Sequence, residues 1–230
     1  MKISNDTVAV LKNLAAINQS IAIDAGSSRL HTVSNAEDLY ASVVVPEVFP
    51  VSCSIYDLNQ FISVMSLLDD PKFDFQANKV TISEGTRKIR YMYADRAAIK
   101  TPKSDVIRMP PSIVEASITS QHINELLKAA AVLQLPHIAI SADLEINEVL
   151  AYVTDMRNPA HNEFCVRLTP TSEMHGGCTA VFRVDKLRVL PGTYTVSVAK
   201  GIGRFSSPDN GHGDVNYYIG CDESSKWSQA

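Results

Sequence analysis

The chain has 230 residues, 45% of them hydrophobic and 20% charged, with a formal net charge of −4. This is the composition of a folded protein with a sizeable core, and the length suits one large or two ordinary domains. Taken whole, the charge excludes an all-over basic nucleic-acid binder, but not one whose positive charge is gathered on one face.

The first helix is expected over residues 4–19, with Ser4 or Asn5 as N-cap. Positions three and four apart share a helix face, so Val10, Leu11, Leu14 and Ile17 form a burying stripe, with Asn5, Ala9, Lys12, Ala16 and Gln19 opposite. Strands follow at 21–25, at 29–34 after the Gly26-Ser27-Ser28 turn, and at 39–45. Pro46 and Pro50 bracket a bend before a strand at 51–55. Asp57 then caps a second helix over 58–68, whose apolar members Leu58, Phe61, Ile62, Met65 and Leu68 keep helical spacing until Asp69-Asp70-Pro71 stops it. Strands at 72–76, 79–83 and 88–93 complete the first half. Residues 95–112 have three prolines and no period, and read as an extended connector between domains at 1–94 and 113–230.

The second half replays the first. A strand at 113–118 leads to a helix at 121–134, and Pro136 marks the turn into a strand at 137–142. Further strands are expected at 145–154, 163–169, 178–184, 194–199, 203–206 and 214–220. Asp185 matches Asp57 as the start of a short helix ending at Pro191-Gly192, and residues 222–230 read as a loose tail. The repetition is visible residue by residue. Val10-Leu11-Lys12 followed by Ile21-Ala22-Ile23 returns, 116 residues on from Val10, as Leu126-Leu127-Lys128 followed by Ile138-Ala139-Ile140. Solenoid repeats have periods of roughly 20–50 residues, so this offset means two similar domains. Ile123, Leu126, Leu127, Ala130 and Leu133 form the second apolar stripe, and Lys128 takes the place of Lys12 on the outward face. The fold class is α+β: in each half two helices pack on antiparallel strands.

Little in the chain points to catalysis. The six histidines are scattered. His175-Gly176-Gly177-Cys178 brings two metal-ligand types together, but no matching pair follows, and it reads as a turn. Gly201-Ile202-Gly203 lacks the third glycine of a dinucleotide loop, and no phosphate-binding loop or nucleophile elbow is present. Cys53, Cys165, Cys178 and Cys221 form no Cys-x-x-Cys pair and read as buried free thiols of a reducing cytosol. No apolar run approaches the ~18 residues of a membrane span. The chain is therefore read as a non-enzyme without metal or cofactor.

The order and spacing of these features resemble the sliding clamps of DNA replication, above all those of T-even-type bacteriophages, a family similar to proliferating cell nuclear antigen. The likeness is densest in Met1-Lys2-Ile3-Ser4-Asn5-Asp6-Thr7 with Leu11-Lys12-Asn13, in Ile55-Tyr56-Asp57-Leu58-Asn59, and in Leu67-Leu68 through Asp70. It continues in Leu126-Leu127, Ile138-Ala139-Ile140, Pro191-Gly192-x-Tyr194, Ala199-Lys200-Gly201 and Asn216-Tyr217-Tyr218.

The resemblance implies a ring of three identical subunits with sheets outside and helices lining a hole for duplex DNA. It implies tethering of the replicative polymerase, and opening by a clamp-loader ATPase in the cytoplasm of the infected bacterial host. The DNA-facing positions would be Lys12 and Lys128 on the long helices, Lys186 and Arg188 on the short fourth helix, and Lys2 at the mouth of the hole. The second helix carries Asn59, Gln60 and Ser63 but no lysine, which departs from the more basic clamps. A pocket for a C-terminal peptide of the polymerase would lie under the connector, formed by Val33, Leu39, Ile107, Met109, Tyr218 and Ile219. Subunits would meet edge strand to edge strand, 88–93 of one against 163–168 of the next. A rival reading is a non-catalytic phage structural or assembly protein built from duplicated domains; a small cytosolic hydrolase is a third class.

Overall fold

A computed structural model describes residues 1–104, 107–158, 160, 162–209 and 211–228. Asp105 and Val106 of the expected connector, His161, and the last two residues of the expected tail lie outside the described residues. The contacts divide into two units, Met1–Asp105 with Gly211–Val215, and Val106–Asn210 with Asn216–Ala230.

In the first unit, helix α1 runs over Asn5–Ile17. A helix leaves its first N–H groups without partners, and two residues answer this here. The Ser4 side chain accepts the Thr7 N–H at 3.2 Å, and the Glu47 carboxylate accepts the Ser4 N–H at 2.5 Å and the Thr7 hydroxyl. Asn18 ends the helix; its side-chain amide donates to the Val33 carbonyl at 2.9 Å, and its side-chain oxygen accepts the Ser20 N–H at 3.0 Å.

Strands β1 (Ile21–Ile23), β2 (Arg29–Val33), β3 (Leu39–Val44) and β4 (Cys53–Ile55) follow. β1 pairs antiparallel with β4, Ile21 opposite Ile55, and β2 with β3. Helix α2 spans Leu58–Met65, its N-terminus capped by the Asp57 carboxylate at 2.8 Å from the Gln60 N–H. β5 (Lys72–Phe75), β6 (Lys79–Glu84) and β7 (Arg87–Met92) form an antiparallel sheet with β7 at an edge. Val10, Leu11 and Leu14 of α1 and Leu58, Phe61, Ile62 and Met65 of α2 are buried, and the two helices pack on each other. Residues 95–100 differ from a free extended linker. Asp95 caps a single 3₁₀ turn at Arg96–Ala98, Ile99 is buried, and the Lys100 ammonium donates to the Asn35 carbonyl at 2.6 Å. An apolar side chain among the polar ones is what draws this segment onto the unit.

The second unit begins with β8 (Val114–Thr119) and α3 (Ser120–Leu133), whose N-cap Thr119 accepts the His122 N–H at 3.3 Å. The remaining strands are β9 (His137–Asp143), β10 (Glu148–Thr154), β11 (Phe164–Pro170), β12 (Cys178–Arg183), β13 (Thr193–Ala199), β14 (Ile202–Ser207), β15 (Val215–Gly220) and β16 (Lys226–Trp227). They lie in the order β16-β12-β9-β10-β11-β8-β13-β14-β15. α3 packs across β8 to β11. Gly203 is required on β14, because a Cβ there would stand 2.6 Å from the Phe182 ring. Its absence lets Phe182 meet Phe205 edge-on at 6.0 Å. The architecture is the expected α+β arrangement.

Two expectations are corrected. The short fourth helix is a single 3₁₀ turn, Val184–Lys186. Ile138 pairs with Phe182 as Ile21 pairs with Ile55, so Val184, not Asp185, stands where Asp57 stands. Val184 is instead the first residue of the turn, its N-cap Arg183 makes no side-chain cap hydrogen bond, and Leu187 leaves the helical region at ψ 52°. The described part of the tail, residues 222–228, is also held in place rather than loose. The Asp222 carboxylate accepts the Ser224 N–H and hydroxyl at 3.0 and 2.6 Å, and its own N–H donates to the Val181 carbonyl at 2.7 Å. This turn delivers β16 to β12, with Trp227 opposite Cys178.

Candidate nucleic-acid interface and partner surfaces

The faces the helices leave open are those read from the sequence. α1 exposes Asn5, Asp6, Lys12 and Ala16; α2 exposes Asn59, Gln60 and Ser63; α3 exposes Gln121, Asn124, Lys128, Ala131 and Val132. Lys12 and Lys128 are exposed and, among the described residues, have no ion-pair partner. The other three candidate cations differ. Both Lys2 contacts to the Asp70 carboxylate oxygens are 2.7 Å. The Lys186 side chain is 17% exposed and lies 3.9 Å from the Asp185 carboxylate. Arg188, beyond the turn, donates from Nε to the Asp185 carbonyl at 3.0 Å. These local contacts lower the charge that Lys2 and Lys186 offer a phosphate.

The six pocket candidates fall in both units. Val33 at the end of β2 and Leu39 at the start of β3 sit at neighbouring ends of one hairpin, and both are buried. In the other unit Ile107 and Met109 are half-buried in an irregular segment. Tyr218 and Ile219 are consecutive on β15 and so point to opposite faces. Ile219 is fully buried, whereas Tyr218 is half-exposed with the Arg204 guanidinium 5.7 Å from its ring centroid. Ile107, Met109 and Tyr218 are thus the accessible members; Val33, Leu39 and Ile219 serve their units' cores.

The two expected edge strands both offer unpaired backbone. β7 exposes Arg87, Lys88, Arg90 and Met92, with Arg87 held by Glu84 and Asp69. β11 is joined by β8 only at Thr169 and Pro170, so one edge of its first five residues has no strand partner among those described.

Cys53 and Cys178 are buried as expected, whereas Cys165 is exposed and Cys221 half-buried, and no reactive thiol emerges from Cys53, Cys178 or Cys221. Burial pushes Cys53 up to about 12, Cys178 to about 11 and Cys221 to about 12, so all three are protonated at neutral pH. Among the described residues no group of three or more His, Cys, Asp or Glu side chains could hold a metal, and no helix is long and apolar enough to cross a membrane.

One surface escaped the sequence reading. The strand expected from residue 145 begins at Glu148, and residues 144–147 form a tight turn that exposes Leu144 (47%) and Ile146 (66%). The signal was present in the turn-forming pair Asp143 and Asn147 on either side of the apolar residues.

Solved structures share this architecture. Proliferating Cellular Nuclear Antigen from Entamoeba histolytica matches with a TM-score of 0.70 over 94% of each chain at 15% identity. A. fulgidus PCNA, solved with the C-terminal region of FEN-1 bound, matches with a TM-score of 0.68 over 94% of each chain at 14% identity. The fold is therefore that of the PCNA-like DNA clamps. Sequence comparison carries the assignment further. Residues 4–101 match the family described as DNA polymerase processivity factor. The sliding clamp of Vibrio phage KVP40 is 28% identical over 210 residues, 89% of this chain and 94% of that one. The sliding clamp of Escherichia phage RB69 is 30% identical over 143 residues, 61% of this chain and 62% of that one. The chain is thus similar to the sliding clamps of phages KVP40, RB69 and T4 and, over residues 4–101, to the DNA polymerase processivity factors.

Proposed function

We propose that the chain works as a homotrimeric ring that encircles duplex DNA and tethers the replicative polymerase to it. The observation that carries this reading is the exposed lysine at the same place on α1 and α3, Lys12 and Lys128, on faces with no aromatic to stack on a base. Phosphate attraction of this kind is independent of sequence, and a clamp must slide. In this reading Lys186, Arg188 and Lys2 add to the DNA-facing charge, with Lys2 and Lys186 contributing less because of Asp70 and Asp185. β7 of one subunit pairs with β11 of the next, domains 1–94 and 113–230 repeat around the ring, and a clamp-loader ATPase opens it.

A C-terminal peptide of the polymerase docks at Ile107, Met109 and Tyr218, with Val33, Leu39 and Ile219 as supporting core residues. The FEN-1 C-terminal region bound to A. fulgidus PCNA supports a peptide of this kind. An apolar anchor set among prolines is the feature such a peptide would bury. The protein is non-catalytic and acts in the cytoplasm of the infected bacterium. The deciding experiment loads it with its loader and ATP onto closed circular DNA and then cuts the circle. A ring stays on the circle and leaves the linear product; equal retention on both sinks the ring.

A further inference from the structure

One residue of the first unit holds a backbone shape that its side chain does not favour. Glu37 sits at φ 60° in the turn between β2 and β3. That region is open to glycine and uncommon for a residue with a Cβ. The turn itself does not use the Glu37 side chain. The Glu37 N–H donates to the Ser34 carbonyl at 3.0 Å. The Ser34 hydroxyl accepts the N–H groups of Asp38 at 3.2 Å and Leu39 at 3.1 Å, and donates to the Asp38 carboxylate at 2.6 Å. Glycine would suit the backbone better, and strain of this kind persists where the side chain has a task.

The carboxylate shows the task. Its two oxygens take one lysine each, Oε1 at 3.1 Å from Lys100 Nζ and Oε2 at 3.0 Å from Lys103 Nζ. Lys103 and then Lys100 hold the Glu37 carboxyl below the usual carboxylate range. Lys100 also donates to the Asn35 carbonyl of the same turn at 2.6 Å. Behind these contacts Ile99 is buried, and the Asn18 amide at the end of α1 donates to the Val33 carbonyl just before the turn. The turn therefore grips the connector along 100–103, shortly before the residues read as the peptide's anchors. Ile107 follows Lys103 by four residues, a length of chain that spans at most about 14 Å.

We infer that Glu37 is a positioning residue for the polymerase peptide: by holding Lys100 and Lys103 it fixes the stretch of connector from which Ile107 and Met109 extend. The inference rests on the docking reading above and adds to it a residue that does not touch the peptide. A segment fixed beforehand gives up less freedom on binding. Exposed ion pairs contribute little to folding, so the loss of this latch shows in binding and not in stability.

Four full-length proteins test it: wild type, Glu37→Gly, Lys100→Gln with Lys103→Gln, and the triple variant. Each is melted alone and titrated, from low to high salt, with a fluorescein-labelled peptide carrying the C-terminal segment of the phage's replicative polymerase. Glu37→Gly is expected to keep or raise Tm, because glycine relieves the turn. Its Kd for the peptide should rise about fivefold at low salt, and the gap should close as salt screens the ion pairs. The triple variant should bind no more weakly than the lysine variant, since both have lost the same latch.

An unchanged Kd in Glu37→Gly overturns the positioning role and leaves the docking reading standing. A lowered Tm together with a weaker Kd also overturns it, because Glu37 then serves the fold. Losses that add in the triple variant overturn it as well, because the turn and the lysines then act separately. A wild type that binds no peptide at any salt removes the docking reading and the positioning role together.

Discussion

The two units start from nearly the same helix and strand and treat the helix differently. Thr7, Val10 and Leu14 of α1 are buried, and so are their counterparts Ile123, Leu126 and Ala130 of α3. The flank next to that stripe diverges. Leu11 and Ala15 are buried in the first unit, where α2 packs on α1. Their counterparts Leu127 and Ala131 are half-buried and exposed, because a three-residue 3₁₀ turn stands where α2 would be. Two features accompany the difference, the residue at the register position of the cap and Pro191 shortly after the turn. Asp57 caps an eight-residue helix, while Val184, at the equivalent place, has no oxygen to offer. A repeated helix is thus held on one side by its sheet in both units, and on its flank by a second helix in only one.

The largest effect expected from this difference is on stability. Leu11→Ala empties a fully packed site and should cost about 3 kcal/mol in urea unfolding, whereas Leu127→Ala should cost about 1. Equal costs would mean that the α3 flank is covered in the assembled protein, and the contrast would belong to the isolated chain alone.

A second effect separates the helix starts by pH. Burial raises the Glu47 carboxyl, and the hydrogen bonds from Thr7 and Ser4 more than offset this, so its pKa ends below the ordinary carboxylate value. A group whose pKa is lower folded than unfolded stabilises above the unfolded value and loses that contribution as pH falls through the folded one. Acidification through the carboxylate range should therefore weaken the first unit, and Glu47→Gln should lower stability at pH 7 and flatten that part of the acid profile. Thermal unfolding across pH 3–7 checks both, with pH values set only as about the range where carboxylates titrate. A mutant with an unchanged acid slope would remove Glu47 from the account.

A smaller effect tests the cap itself. Asp57→Ala should cost about 1 kcal/mol. Val184→Asp should recover at most a few tenths, since the residues after it still lead to Pro191 within a turn or two. Lengthening of the turn into a stable helix on that one change would make the cap the sole cause of the difference between the units; no change in helix content by circular dichroism leaves Pro191 as a second one.

Much of this was legible in the chain. The apolar spacing of α1, α2 and α3 and the period-two strands are local, and each falls within a few residues of its expected position. Legibility failed where pairing decides. The one-residue offset that puts Val184 in place of Asp57 exists only in the register of β9 with β12. The tail's attachment depends on Asp222 reaching Val181, across 41 residues of sequence, from Val181 to Asp222. The candidate site divides the same way. The outward lysines follow from helix periodicity, but the pairing of Lys2 with Asp70 and the burial of Lys186 require distant or irregular backbone.

The smallest effect concerns the two lysines, and it asks whether units that differ in packing still present charge alike. Lys12 and Lys128 occupy equivalent places and are both exposed. Each should touch phosphate through long or water-mediated contacts, so each removed contact should lower the log–log salt slope of retention on DNA by roughly one unit or less. Lys12→Gln and Lys128→Gln should then give equal, small losses, and the double variant their sum. Reversal of both to glutamate should reduce processive synthesis well beyond the same reversal of Arg96 and Lys103. Arg96 is already paired with Asp24 at 2.8 Å and Lys103 with Glu37 at 3.0 Å, so neither is committed to DNA. All four reversals change the charge equally, which leaves position as the variable. Primer extension over a salt series in which Lys128 mattered and Lys12 did not would show that the helix backed by α2 is turned from the duplex. Equal losses would show that the flank helix steadies α1 without altering what it presents.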